Sequence, residues 1–129
     1  MGTKEAVRTE AAPAPFQGAP YSQAIRANGF VFVSGQLALR PDHAEIVSDD
    51  IGAQTEQIFD NLQAILEEAG SGLDRIVKTT VFLTDLDDFA GMNEVYAKRV
   101  GQPPPARATV EISNLPSGAK VEIEATALA

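Results

Sequence analysis

Arg107 follows Pro103-Pro104-Pro105 after a single alanine. A proline run is stiff and holds what comes after it in a fixed place. A guanidinium there can take a carboxylate through two parallel hydrogen bonds, and an arginine on a strand can equally pair with a nearby glutamate. Glu122 and Glu124 stand two residues apart in a segment of strand character, so they share a face. Together they could hold or activate a water, each raising the other's pKa toward a useful range, or they could be a solvated or cross-strand charge pair. Tyr21, in the loop segment Tyr21-Ser22-Gln23 after Pro20, offers an aromatic wall and a hydroxyl, or simply packs. Ser34 beside Gly35 has no histidine to activate it, so a serine-hydrolase reading is rejected. Asn93 lies between Met92 and Val95 in a helical stretch, where an amide also serves a surface or a helix–helix contact. His43 reads as a solvated loop residue. Asp85, Asp87 and Asp88 suit a helix N-terminus better than a cation site.

Much other chemistry is excluded by composition. The chain has no cysteine and one histidine, which removes disulfides, thiolate catalysis, a zinc site and a Ser-His triad. Carboxylates, arginine, hydroxyls and backbone amides remain, and neither a metal nor a cofactor is expected. Ten basic against eighteen acidic side chains give a net charge of −8. Such a surface repels phosphate backbones and anionic membranes, so no nucleic-acid or membrane partner is expected, and an anionic ligand needs a local cationic pocket. No stretch is apolar enough to span a bilayer. Lys4, Glu5, Arg8 and Glu10 near the start do not form a secretory signal, so a cytoplasmic protein is expected. At 129 residues the chain suits one domain over 1–129, with residues 1–15 partly flexible.

The elements that must position these residues follow from periodicity. Pro13, Pro15 and Pro20 exclude a helix early on, leaving room for a short edge strand near residues 5–8. Residues 24–27 and 30–37 read as hairpin arms around Asn28-Gly29. Phe30-Val31-Phe32-Val33 is apolar throughout, as in a strand buried on both faces. Gly35 suggests a bulge or the close approach of a ligand. Residues 51–69 form an amphipathic helix with Ile51, Ile58, Leu62, Ile65, Leu66 and Ala69 on its inner face and Gln54, Glu56, Gln57, Asp60 and Glu67 largely outside it. Residues 75–84 are a β-branched strand. A second helix follows, with Phe89, Met92, Val95, Tyr96 and Val100 as its apolar positions. In 107–113, Ala108, Val110 and Ile112 alternate with Arg107, Thr109 and Glu111. In 119–127, Val121, Ile123 and Ala125 alternate with Lys120, Glu122, Glu124 and Thr126. The order β-β-β-α-β-α-β-β suggests one helical layer on one sheet face, the polar positions on the other, and that bare face as an oligomer interface.

Seven segments then resemble the Rid family, also called YjgF or L-PSP endoribonucleases: residues 19–24 (APYSQA), 32–37 (FVSGQL), 57–62 (QIFDNL), 76–86 (IVKTTVFLTDL), 92–96 (MNEVY), 105–111 (PARATVE) and 121–125 (VEIEA). They keep the family's order and cover the chain from about residue 5 onward. The resemblance implies an α+β, chorismate-mutase-like fold with two helices on one face of a mixed six-stranded sheet. It implies that another strand lies between the last two, and a homotrimeric barrel with sites between subunits. The implied activity is hydrolysis of 2-imino acids, such as 2-aminoacrylate or 2-iminobutyrate in their enamine and imine forms, to 2-keto acids and ammonia. Arg107 matches the arginine that clamps the substrate carboxylate and Glu122 the acid that positions the attacking water. Thr109 matches a position that fixes the substrate, and Tyr21, Ser34, Gly35 and Asn93 match pocket-lining positions. The chain departs from the family at Ala19, Ala38 and Ala44, and Ala19 in place of glycine would stiffen the loop carrying Tyr21. Two other functions compete. A ligand-binding or regulatory trimer would keep the fold without the reaction. A ribonuclease ranks lower, because the chain lacks a basic track and an acid–base pair.

Overall fold

The computed structural model describes residues 2–129. Six strands form one sheet in the order β1-β2-β3-β6-β4-β5. They are β1 (Glu5–Val7), β2 (Ala24–Ala27), β3 (Phe30–Gln36), β4 (Ile76–Leu83), β5 (Ala106–Glu111) and β6 (Val121–Leu128), with helices α1 (Ile51–Glu68) and α2 (Phe89–Arg99) between them. All neighbours are antiparallel except β4 and β5, whose parallel pairing needs the crossover that α2 supplies. β4 separates β5 from β6, so the last two strands are not a hairpin.

Local signals account for the element ends. Asn28 and Gly29 both take positive φ, 52° and 82°, the geometry a two-residue hairpin turn demands. Asp50 caps α1 by accepting from the Ala53 amide at 2.8 Å. Gly70, at φ +82°, follows the C-terminal Ala69. The departure at Ala19 does not strain its loop, because Ala19 adopts φ −61° and ψ 154°, open to any residue.

The core lies between α1 and α2 and one face of the sheet. Ile58, Leu62, Ile65, Leu66 and Met92 meet Val31, Val33, Val81, Leu83, Val121 and Ile123, all buried. Two amides are buried with them. Gln54, expected outside the apolar face, is fully buried, donating to the Ser48 carbonyl and accepting from the Lys120 amide. Asn61 donates to the carbonyls of Leu37 and Leu39. Each amide satisfies loop backbone that the core would otherwise strand without water.

Four expectations about faces are corrected. β3 is not buried on both sides: Val31 and Val33 face the helices, while Phe30 and Phe32 are 37% and 46% exposed on the other face. β5 is turned the other way from a strand with its apolar set inward. Arg107 and Thr109 sit beside Thr79 and Val81 on the helix side, which leaves Ala108 and Val110 on the bare face. The bare face is therefore mixed, with Phe30, Phe32, Val110 and Leu128 beside Glu122, Glu124 and Thr126, and not simply polar. Finally, Phe89 is 41% exposed and belongs to the site described next, not to the core.

Candidate active site

Arg107 is held by a stripe of α2. Phe89, Asn93 and Tyr96 recur at i, i+4 and i+7, which places them on one helical face. Arg107 donates from Nη1 to Asn93 Oδ1 at 2.7 Å. Its guanidinium carbon lies 4.7 Å from the centre of the Tyr96 ring and 5.5 Å from that of Phe89, within cation–π range of both. The Tyr96 ring is itself fixed by a buried 2.6 Å hydrogen bond between its hydroxyl and Thr79 Oγ1 and by an edge contact with Phe59. The guanidinium fronts a groove of about 330 Å³ between α2 and the proline run.

β5 is an edge strand, so its outer backbone groups pair with no strand among the described residues. The Ile112 amide donates inward to the Leu83 carbonyl. Amides alternate in direction along a strand, so those of Arg107 and Thr109 point to the free edge. Thr109 Oγ1 is buried and has no hydrogen-bond partner among the described residues. The Arg107 guanidinium, two outward amides and the unpartnered Thr109 hydroxyl thus belong to one edge strand, and such donors suit an anion such as a carboxylate.

Glu122 occupies the bare face of β6, opposite Phe82 of β4. Burial, and secondarily the charge of Glu124, hold its carboxyl above the usual glutamate range. Beside it β3 bulges. Val33 faces Ala125 while Gln36 faces Ile123, so β3 carries one extra residue at Ser34-Gly35. Ser34 donates its hydroxyl to the Ser22 carbonyl at 2.6 Å, and its amide donates to the Gln23 carbonyl. Ser34 thereby ties the Tyr21 loop to β3. Tyr21 accepts from the Phe16 amide at 2.6 Å, and its own O–H donates to no group among the described residues. Gln23 is buried and staples the N-terminal segment, accepting from the Thr9 amide and donating to the carbonyls of Thr9, Ala12 and Pro13. Gly35 and Tyr21 line the same small hollow.

The sequence candidates therefore fall into two groups. Arg107, Asn93 and Thr109 gather on the helix side at the β5 edge. Tyr21, Ser34, Gly35 and Glu122 gather around the β3 bulge, with Glu122 on the opposite face. One chain does not bring Arg107 and Glu122 together, because they sit on opposite faces of the sheet with β4 between their strands. Sequence reasoning took Phe89 and Tyr96 as apolar positions of the helix; Tyr96 is buried in the core as expected and also faces Arg107, whereas Phe89 is exposed beside it. The signal for their actual role was their spacing about Asn93. Among the described residues no cluster of His, Asp and Glu could hold a metal ion, and no helix is long and apolar enough to cross a membrane.

The sequence profile described as Endoribonuclease L-PSP matches residues 9–129. A RutC family protein of Pyrococcus abyssi is 51% identical over 124 residues, covering 96% of each chain. Reactive Intermediate Deaminase A, chloroplastic, of Arabidopsis thaliana is 48% identical, over 96% of this chain and 65% of its own length. The crystal structure of RidA from the Antarctic bacterium Psychrobacter superposes with a TM-score of 0.90 at 42% identity, covering 97% of this chain and 99% of that one.

Proposed function

Because the chain belongs to the L-PSP endoribonuclease family, the Rid or YjgF proteins, we propose that it hydrolyses 2-imino acids such as 2-iminobutanoate and 2-iminopropanoate to 2-keto acids and ammonia. The sites lie between neighbouring subunits of a homotrimer, and no cofactor takes part. The observation that carries this reading is the Arg107 half-site, a fixed guanidinium beside outward amides and an unpaired hydroxyl. It suits a small carboxylate. A relative that shares 48% identity bears the name of a deaminase.

A protonated imine carbon is already electrophilic, so the protein need only orient it and supply a water. The substrate carboxylate binds Arg107, supported by Asn93 behind the guanidinium and by the Thr109 amide in front. A neighbouring subunit presents Glu122, with Tyr21, Ser34 and Gly35 completing the pocket wall. Glu122 accepts a proton from the water as its oxygen bonds to C2. The carboxyl then passes that proton to nitrogen, and as the C2–N bond breaks and ammonia leaves, the Glu122 carboxylate takes the hydroxyl proton so that the keto group forms. Burial and the Glu124 charge hold the Glu122 carboxyl above the usual glutamate range, which suits a group that takes a proton and returns it.

The test is the decay of an imine generated in situ by a threonine or serine dehydratase, with catalytic amounts of this protein. Acceleration that Arg107→Ala lacks supports the deaminase and its anion site together. Losing a buried charge-assisted contact of this kind costs about 2–5 kcal/mol. No acceleration with several imino acids, while a 2-keto acid still binds, would favour a carboxylate-binding regulatory trimer instead. The net charge of −8 and the single histidine weigh against RNA as substrate, despite the family's name.

A further inference from the structure

Gly35 does not take a backbone conformation that calls for glycine. It is absent from the positive-φ residues, which include Gly18, Gly29, Gly70 and Gly118. What excludes a side chain there is Glu122. A β-carbon on Gly35 would stand 2.8 Å from Glu122 Cδ, 3.0 Å from Oε1 and 3.1 Å from Cγ. The first of these is closer than carbon atoms approach without bonding. The extra residue in β3 places Gly35 at this point, and Ser34 fixes the bulge to the Tyr21 loop. Two features of β3, the bulge and the missing side chain, thus shape one space, and the Glu122 carboxyl fills it.

We infer that Gly35 is a positioning residue whose absent side chain forms the seat of the Glu122 carboxyl. The inference rests on the reading that Glu122 handles the attacking water, and it adds what holds that acid in place. The seat also accounts for the burial of Glu122. A carboxyl resting on the glycine backbone is half shielded, whereas one displaced by a methyl group would turn into solvent. The displaced group is the end of a flexible side chain, so alanine at this position is accommodated by moving the acid and the sheet survives. The charged groups sharing this face are Glu124 on β6 and Lys78 on β4. β3 contributes Phe32 and Ser34 beside the bulge, neither of them charged.

The experiment compares Gly35→Ala, Glu122→Gln and the double variant Gly35→Ala/Glu122→Asp. It reads imine hydrolysis, binding of 2-oxobutanoate, and titration of the Glu122 carboxyl by carbon-13 NMR. Gly35→Ala is expected to lose about a hundredfold in kcat, the scale of a general base displaced from its proton. It should keep keto-acid binding, and its Glu122 titration should move down toward the ordinary glutamate value. The shorter aspartate in the double variant leaves room for the methyl group and should recover part of the lost kcat. A fold defect would not be rescued in that way. Wild-type kcat and an unmoved Glu122 titration in Gly35→Ala would overturn the inference. Full activity in Glu122→Gln would instead overturn the water-handling role, and the NMR titration would still decide whether Gly35 seats the acid.

Discussion

At Glu122 burial and the Glu124 charge act in the same direction, and both favour the protonated carboxyl. The folded state therefore holds this proton to higher pH than the unfolded chain does. Between the ordinary glutamate value of 4.5 and the raised one, stability falls as pH rises, and above both the fold carries the full penalty of a shielded charge. Glu122→Gln removes that penalty. The variant should be more resistant to urea than the parent at pH 7, and the advantage should vanish as the pH is taken below 4.5. Activity that needs ionised Glu122 should fall on the acid side at a higher pH than an ordinary glutamate would give. Glu124→Gln should move that limb downward, which a pH–kcat profile would read. At Arg107 the planar fork matters as well as the charge. Arg107→Lys keeps the charge but loses the paired geometry and much of the stacking on Tyr96 and Phe89. Calorimetry with 2-oxobutanoate should show it binding well below the parent, though above Arg107→Ala.

The element that holds Arg107 is α2, and its most consequential join to the sheet is the buried Tyr96–Thr79 hydrogen bond. Thr79→Val alone strands the tyrosine hydroxyl and should destabilise by about 1–3 kcal/mol, whereas Thr79→Val combined with Tyr96→Phe removes both partners and should come close to neutral. Denaturant unfolding of the three variants measures this directly. The two helices and the hairpin at Asn28-Gly29 were legible in the sequence because each is a local event. Turn chemistry, periodicity and capping act within a few residues. The orientation of β5 was not. Alternation separates Arg107 and Thr109 from Ala108 and Val110, but only the register against β4 decides which set faces the helices. Gln54 was misplaced for a similar reason. An amide is buried wherever loop carbonyls and amides need it, and those partners lie far along the chain. The residues gathered at the β5 edge and around the β3 bulge were nearly all named in advance as candidates. Their division between two faces was not, because it depends on a strand order that local patterns do not carry.

On the scale of the whole molecule, the bare sheet face exposes Phe30, Phe32, Val110 and Leu128, an apolar patch of the kind that marks an interface. If neighbouring subunits complete each site, two dead variants can repair one another. Arg107→Ala subunits still carry Glu122, and Glu122→Gln subunits still carry Arg107. Unfolding and refolding an equal mixture should restore activity at about a quarter of the sites, as random assembly of a ring predicts. No recovery, with mixed oligomers present by native mass spectrometry, would mean that Arg107 and Glu122 do not act in one shared site. Phe32→Asp should break the assembly and the activity together, as sedimentation and the imine assay would show. The strand order has one more consequence, which concerns how the molecule is made. Among the described residues β6 is the only strand joining the β1-β2-β3 group to the β4-β5 pair, and it follows both in the chain. During synthesis two separate pieces of sheet wait with open edges until β6 emerges, and the long loops it closes make its arrival the slow step. Glu122 travels on that strand. The acid proposed to handle water thus enters the structure with the strand that completes the sheet, and a chain halted before Val121 presents two open edges and no Glu122.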